Sequence, residues 1–492
     1  MRDKNIKKRE SLKGNFAYNL LYQILVIILP LITAPYVTRV LGADNLGVYT
    51  YSQAIANCFY LFAMLGVNNY GNRAVARIRD DRAKLDTTFT EIYIFQLLLG
   101  VLCTITYTVY IMIFVKENQL IFFLQIIYVL SGAVDINWAC FGLEKFKIAA
   151  LRSMVIRLGL AACIFIFVKS ENDIWLYTLL LSLQYFISVV AIWPFVLKYV
   201  SFRKVTIHGI LKHLKPNVML FFPIIAISIY NIMDKIMLGY FSPSDEVAFY
   251  NYAERLVTIP VTCIMALDNV MMPRMSYLYA KKNDNRVDLL MDTIMMFSIF
   301  LSSAMCFGLA GVGQEFTVWF YGKAFERCGL FVLLLTPTII FKGAAGALRT
   351  LFIIPTQKDK IYLASLITGA VVNVILNYLL IPKHGGIGAI IGTVAAEFAV
   401  CFSQFFMTKS EITFKKFLID ALSFCTIGIL MFLLISQINI TDSVSVINIA
   451  VQILVGAFFY ILTGAAYMIF VRRNVMLVNE MLHILRIKYR FK

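Results

Sequence analysis

The chain has 492 residues, of which 60% are hydrophobic and only 15% charged, with a mean hydropathy of +0.78 and a formal net charge of +17. Soluble domains run at about 45–50% apolar and about 25% charged, so this composition excludes a soluble globular protein and a disordered chain. The apolar runs are continuous and do not alternate with period two, which disfavours a membrane β-barrel.

At ~20 apolar residues per membrane helix, hydropathy places spans at 15–40, 46–70, 88–115, 119–143, 148–168, 174–197, 215–240, 247–273, 289–312, 329–353, 361–382, 387–408, 417–436 and 446–471. The expected fold class is therefore all-α and polytopic, with about fourteen transmembrane helices. The run from Phe16 is too long for a signal peptide and reads as an uncleaved first span. An even number of spans puts both termini on one side. Lys and Arg concentrate in every second connection, while the opposite side holds only Arg39, Lys116, Lys169, Lys323, Arg327 and Lys383. The positive-inside rule then predicts that both termini are cytoplasmic. The same rule accounts for the excess positive charge, and nucleic acid is not an expected partner. Residues 472–492 read as a basic amphipathic tail at the inner surface. Pro30, Pro35, Pro223, Pro260, Pro273 and Pro337 fall inside spans and predict kinks.

Residues 141–186 align without gaps to 354–399, and Leu41-Gly42 aligns to Leu238-Gly239. Spans 1–6 therefore resemble spans 7–12. Six spans is an even number, so the repeats share one orientation and predict a pseudo-two-fold axis along the membrane normal, with a site between the halves. The expected domains are a six-helix bundle at 1–200, a second at 201–410, an additional helix pair at 411–471 and the tail at 472–492.

Ionisable residues within a span mark a pathway or site by default. The candidate cations are Arg157, Lys235, Arg255, Lys342 and Arg349, with Arg39 at the outer end of span 1. The candidate ion-coupling groups or charge partners are Asp135, Asp234, Glu254, Asp268 and Glu397. Asn231, Asp234 and Lys235, and likewise Asn251, Glu254 and Arg255, share one helical face. Two readings stay open for these triplets: ion pairs that lock an antiparallel hairpin, or a polar lining of a cavity. A mid-span Arg or Lys needs a carboxylate, a water-filled cavity or a bound anion, and a pyrophosphate fits an Arg bidentately. The nine cysteines include no CxxC and predict neither disulfides nor a metal site. There is no P-loop, HExxH or GxSxG motif, so no cofactor, metal or built-in ATPase is expected.

Asn19-Leu-Leu-Tyr22-Gln23, Pro30-Leu-Ile-Thr33-Ala-Pro35-Tyr36-Val-Thr-Arg39-Val-Leu41-Gly42, Gly66-Val-Asn-Asn-Tyr70-Gly71-Asn-Arg73 and Asp234-Lys235-Ile-Met-Leu238-Gly239 together resemble Wzx-type polysaccharide repeat-unit flippases. That family is a branch of the superfamily that also holds MATE drug exporters and the lipid II flippase. The resemblance implies two six-helix bundles plus two further helices, with alternating access through a cationic lumen. It implies as substrate an undecaprenyl-pyrophosphate-linked oligosaccharide, moved across the bacterial plasma membrane for a capsule, O-antigen or teichoic-acid-like polymer. It implies a transporter rather than an enzyme, with a polymerase and glycosyltransferases of the same pathway as possible partners. In this family spans 1, 2, 7 and 8 line the lumen, which favours Arg39, Lys235 and Arg255. Asp234 and Glu254 would weaken the positive field there. The alternatives are a MATE-like exporter of organic cations, which predicts an acid-dominated lumen, and a membrane glycan polymerase or ligase, which predicts larger outer loops.

Overall fold

The computed structural model describes residues 2–281, 284–412, 414–438, 440 and 445–472. The expected basic tail, beyond Arg472, lies outside them. The described residues form helices and short connections, with no strand. In order the helices are α1 (Arg2–Met64), α2 (Val67–Ile78), α3 (Arg82–Phe114), α4 (Gln119–Leu124), α5 (Ile126–Val134), α6 (Asn137–Gly142), α7 (Phe146–Phe167), α8 (Ile174–Val190), α9 (Trp193–Val196), α10 (Ile207–Leu211) and α11 (Leu214–Phe241). They continue as α12 (Ser244–Ala280), α13 (Asp284–Tyr321), α14 (Glu326–Leu335), α15 (Pro337–Leu348), α16 (Asp359–Thr408), α17 (Lys415–Ile435) and α18 (Val446–Ala466).

Local chemistry sets the ends. Asp81 caps α3 by accepting from the Lys84 amide, and Ser445 caps α18 by accepting from the Ile447 amide. Between such caps the apolar runs hold few charges. On α3, Leu98, Leu102, Ile105 and Met112 are all more than half exposed. So continuous an apolar surface is stable facing lipid and not water. The chain is an integral membrane protein.

Nine helices among the described residues are long and apolar enough to cross a membrane, or ten if α14 and α15 form one span bent by 42°. The sequence reading has fourteen. The difference lies in three helices. The run α16 counts once where spans 11 and 12 were expected. Helices α1, over spans 1 and 2, and α11, over span 7, fall outside the count. Both long runs contain one non-helical glycine, Gly42 in α1 (φ 74°, ψ 173°) and Gly385 in α16 (φ 54°, ψ −131°). A straight 50-residue helix would be about 75 Å long, far more than the ~30 Å hydrocarbon core. The break at Gly385 divides it into two arms of roughly membrane length.

The chain divides into two compact units, Met1–Ala248 and Phe249–Lys492. In the first, α3 packs on α1, α2 and α5, around Phe89, Ile92, Trp138 and Ile192. In the second, α17 and α18 pack on α13 around Phe300, Phe424, Met431 and Tyr460. The end of α18 is tied down by Arg472, which bonds Asp292 at 2.7 Å and Asp420 at 2.9 Å. Pro30 and Pro35 lie within α1 and Pro260 and Pro273 within α12, while Pro337 opens α15 at the 42° bend.

Candidate functional site

Two helix breaks build a polar cavity in the first unit. The first follows Met64, where Leu65 and Gly66 take positive φ (35° and 79°) before α2 begins. Gly66 is required twice over: its φ suits glycine, and a Cβ would stand 2.7 Å from the Asn217 carbonyl oxygen. The first two turns of α2 carry Asn68, Asn69 and Asn72. The second break is at Asp135 and Ile136, between α5 and α6, inside what the sequence presents as one span. Irregular backbone at membrane depth needs partners from protein or cavity water. Gln96 of α3 provides them. Its amide nitrogen donates to the Gly132 and Asp135 carbonyls at 2.7 and 2.8 Å, and its oxygen accepts from the buried Trp138 indole at 2.9 Å.

Asp135 is 5% exposed. It accepts from the Tyr60 hydroxyl at 3.0 Å and from the Asn137 amide and side chain at 2.9 and 2.7 Å. The Arg152 guanidinium adds electrostatic attraction and donates to the Asn137 side-chain oxygen at 3.1 Å and the Ser153 hydroxyl at 3.1 Å. Neutral dipoles thus solvate the carboxylate. The cavity has a volume of about 590 Å³ and is lined by Asp135, Asn137, Arg152, Arg157, the three asparagines of α2, and Tyr60 and Tyr185. Arg157 and Asp135, named from sequence as separate candidates, share this space. Arg152, Gln96, Tyr60 and the asparagines were not singled out. Arg152 lies only four residues inside the expected span 148–168, and the one visible signal for the asparagines was the Asn68-Asn69 pair beside Gly66.

Against α2 lies a second buried cluster. His213 is 3% exposed, with Nδ1 2.7 Å from the Tyr70 hydroxyl and Nε2 3.1 Å from the Glu91 carboxylate. Lys212 holds the same carboxylate oxygen at 2.6 Å. A carboxylate only accepts, so the ring presents Nε2–H to Glu91 and accepts from Tyr70 at Nδ1. Burial pulls the His213 pKa below its ordinary value, against the opposing pull of Glu91.

In the second unit, Lys342 of α15 meets Glu397 of α16 at 3.0 Å. Asp268 of α12 is buried and within electrostatic reach of Arg349, which lies at the start of a π-helical turn with its guanidinium 5.3 Å from the Tyr362 ring centre. Arg255 is exposed and sits 5.0 Å from the Tyr252 ring centre, with Glu254 half-buried beside it. In the first unit, Arg39 is exposed on α1, Asp234 is buried on α11 and Lys235 is half-buried next to it. Within each unit the structure therefore pairs Lys342 with Glu397, sets Asp268 within electrostatic reach of Arg349, and lets Asp135 and Arg157 line one cavity.

A polar cavity at the breaks of apolar helices is a transporter's feature, and comparison with known proteins agrees. Residues 12–279 match the family described as polysaccharide biosynthesis protein. The chain belongs to that family. This agrees with the flippase resemblance carried by the motifs around Pro35, Gly66 and Asp234. A protein of Shigella dysenteriae named "Putative O-antigen transporter" is 27% identical over 374 residues, 75% of this chain and 92% of that one. One of the same name from Escherichia coli K12 is 22% identical over 391 residues, 79% and 94% of the two chains. Among solved structures, a lipid II flippase MurJ in an inward closed conformation superposes with TM-score 0.73 at 16% identity, covering 91% of this chain and 99% of that one. An inward-facing multidrug resistance MATE family transporter gives 0.56 at 15% identity, covering 78% and 93%. At these identities the likeness concerns the fold, and the fold is that of the MurJ and MATE transporters.

Proposed function

We propose that this family member is a flippase that carries a polyprenyl-pyrophosphate-linked oligosaccharide from the inner to the outer leaflet of the bacterial plasma membrane. The product would feed a capsule, O-antigen or teichoic-acid-like polymer, in company with a polymerase and glycosyltransferases. The observation that carries the reading is the polar cavity at two helix breaks in a chain of the polysaccharide biosynthesis family. The names of its relatives support it. The chain is a transporter, and its substrate crosses unchanged.

The topology proposed is fourteen spans with both termini cytoplasmic, as six-span bundles at 1–200 and 201–410 with a helix pair at 411–471. In this scheme cations attract the pyrophosphate while the lipid tail stays in the bilayer. Arg157 opens on the cavity of the first unit and meets the glycan there, while Arg39, Lys235, Arg255 and Arg349 supply the positive charge for the pyrophosphate. Lys342 joins them when its bond to Glu397 exchanges for the phosphate. Asp135, Asp234, Glu254 and Asp268 balance this charge, and Asp135 or Glu397 couples transport to an ion gradient. Access alternates between the two faces, each carboxylate trading one partner for another.

The test is translocation in proteoliposomes of lipid-linked oligosaccharide from the source cell, beside an organic-cation dye. Protein-dependent arrival of glycan at the far leaflet, without dye movement, is the expected result. Dye movement without glycan would replace the reading by that of an organic-cation exporter. Arg157→Ala should slow glycan transport at equal protein level. Unchanged transport would remove Arg157 from the site.

A further inference from the structure

The lining of the first unit's cavity is unusual for an anion site. Most of its polar groups are uncharged. Asn68, Asn69 and Asn72 stand on adjacent positions of α2, and Asn137 faces the same space from the break before α6. Each of the three carboxamides of α2 has two donors and an acceptor, while that of Asn137 is engaged by Asp135 and Arg152. The charged groups are one carboxylate and two arginines, and the carboxylate already accepts three hydrogen bonds from neutral donors. Arg152 donates to Asn137 and Ser153 through one of its three guanidinium nitrogens. A pyrophosphate calls for converging cations, whereas this wall offers a dense field of neutral donors and acceptors.

Tyr60 and Tyr185 add aromatic rings to the lining. Tyr60 stacks on Tyr128 with ring centres 5.0 Å apart and planes 24° apart, and Tyr185 packs edge-on against Tyr128 at 4.8 Å. Tyr60 is also pinned by its bond to Asp135. Carboxamides and tyrosine rings lining one cavity match the two surfaces of a pyranose: hydroxyls around the rim, and C–H groups on the face. The volume of about 590 Å³ lies within the usual range of small-ligand sites, about 300–1,000 Å³. It suits one or two sugar rings and leaves no room for a polyprenyl chain.

We infer that the cavity between α2, the break at Asp135, α7 and α8 is a sugar-recognition subsite, which binds glycan rings of the cargo by carboxamide and aromatic contacts and not its pyrophosphate. The inference rests on the flippase reading above and adds where the glycan is read. It makes Asn68 and Asn69, both exposed into the cavity, determinants of which glycans are carried.

Two measurements test it. The first is protection of a thiol in the cavity. Purified Asn69→Cys is treated with a maleimide, the labelling of the native cysteines in wild type being subtracted. The oligosaccharide released from the source cell's lipid-linked glycan is added to one sample and inorganic pyrophosphate to another. The expected result is protection by the oligosaccharide alone. Protection by pyrophosphate alone, by both equally or by neither overturns the assignment. The second is translocation by Asn68→Ala/Asn69→Ala, whose positions are exposed and whose loss leaves the Gln96 contacts in place. Two lost hydrogen bonds predict transport of the lipid-linked glycan about tenfold slower or more. If wild type moves glycan and the double variant moves it equally fast, the subsite is wrong while the flippase reading stands. If wild type moves none, the flippase reading falls, and the inference with it.

Discussion

Asp135 in the first unit and Glu397 in the second are both buried carboxylates on apolar helices, held in opposite ways. Asp135 is solvated by a phenol and two amides, and Arg152 adds electrostatic attraction while its hydrogen bond goes to Asn137. Glu397 meets its lysine directly at 3.0 Å. Neutral donors stabilise a carboxylate without cancelling its charge, so the space around it stays polar and open. A direct pair cancels the charge and closes the space until something separates it. The first arrangement suits a standing binding site, and the second suits a latch.

The contrast depends first on the helix break that exposes the amide of Asn137. Gln96→Leu leaves two carbonyls and the Trp138 indole unsatisfied in the interior, and should cost about 4 kcal/mol, the largest effect expected. It would be read as a loss of thermal stability in detergent. A near-neutral result would mean that water serves the break. Next, Lys342→Ala strands Glu397 and should cost about 3 kcal/mol, while Lys342→Met with Glu397→Gln should regain most of it. If the double variant is no more stable than the single one, the pair is not a latch. Asp135→Asn keeps the size and one acceptor but sets an amide against an amide, and should cost only about 1 kcal/mol. A cost as large as that of Lys342→Ala would erase the distinction.

Glu91 provides an intermediate case, bonded to a neutral imidazole and to Lys212. The folded-state pKa of His213 is depressed by burial, so below about pH 6.5 the unfolded chain binds the proton more readily. Its contribution is complete above that pH and declines as pH falls toward the lowered folded value. The effect should be the smallest of the four, a modest fall in melting temperature between pH 7.5 and 5.5 that His213→Gln abolishes.

Much of the fold was legible because membrane helices are written in hydropathy. The span limits near 88–115, 417–436 and 446–471 agree with α3, α17 and α18 to within six residues, and Pro337 lies at a bend. The break at Asp135 was not legible. No Gly or Pro marks it, and it is sustained by Gln96, 39 residues earlier in the chain. The same limit applied to the site. Arg157 and Asp135 stood out as charges in apolar runs. Arg152 and the asparagines did not, because only the fold brings α2 and α7 to one cavity. The Lys342–Glu397 pair spans two helices and has no signature spacing in the sequence.

Three glycines tie the broken span to its neighbours. A Cβ on Gly71 would fall 2.5 Å from the Trp138 ring, one on Gly100 2.4 Å from Ala133, and one on Gly142 2.7 Å from Val75. At such contacts two backbones cannot slide past each other without collision. Helices α2 and α3 and the segment around Asp135 therefore behave as a single casting. Its asparagines and its carboxylate are held in one register. A methyl group added at any of the three glycines would warp that casting from behind, reshaping the cavity without touching a residue that lines it.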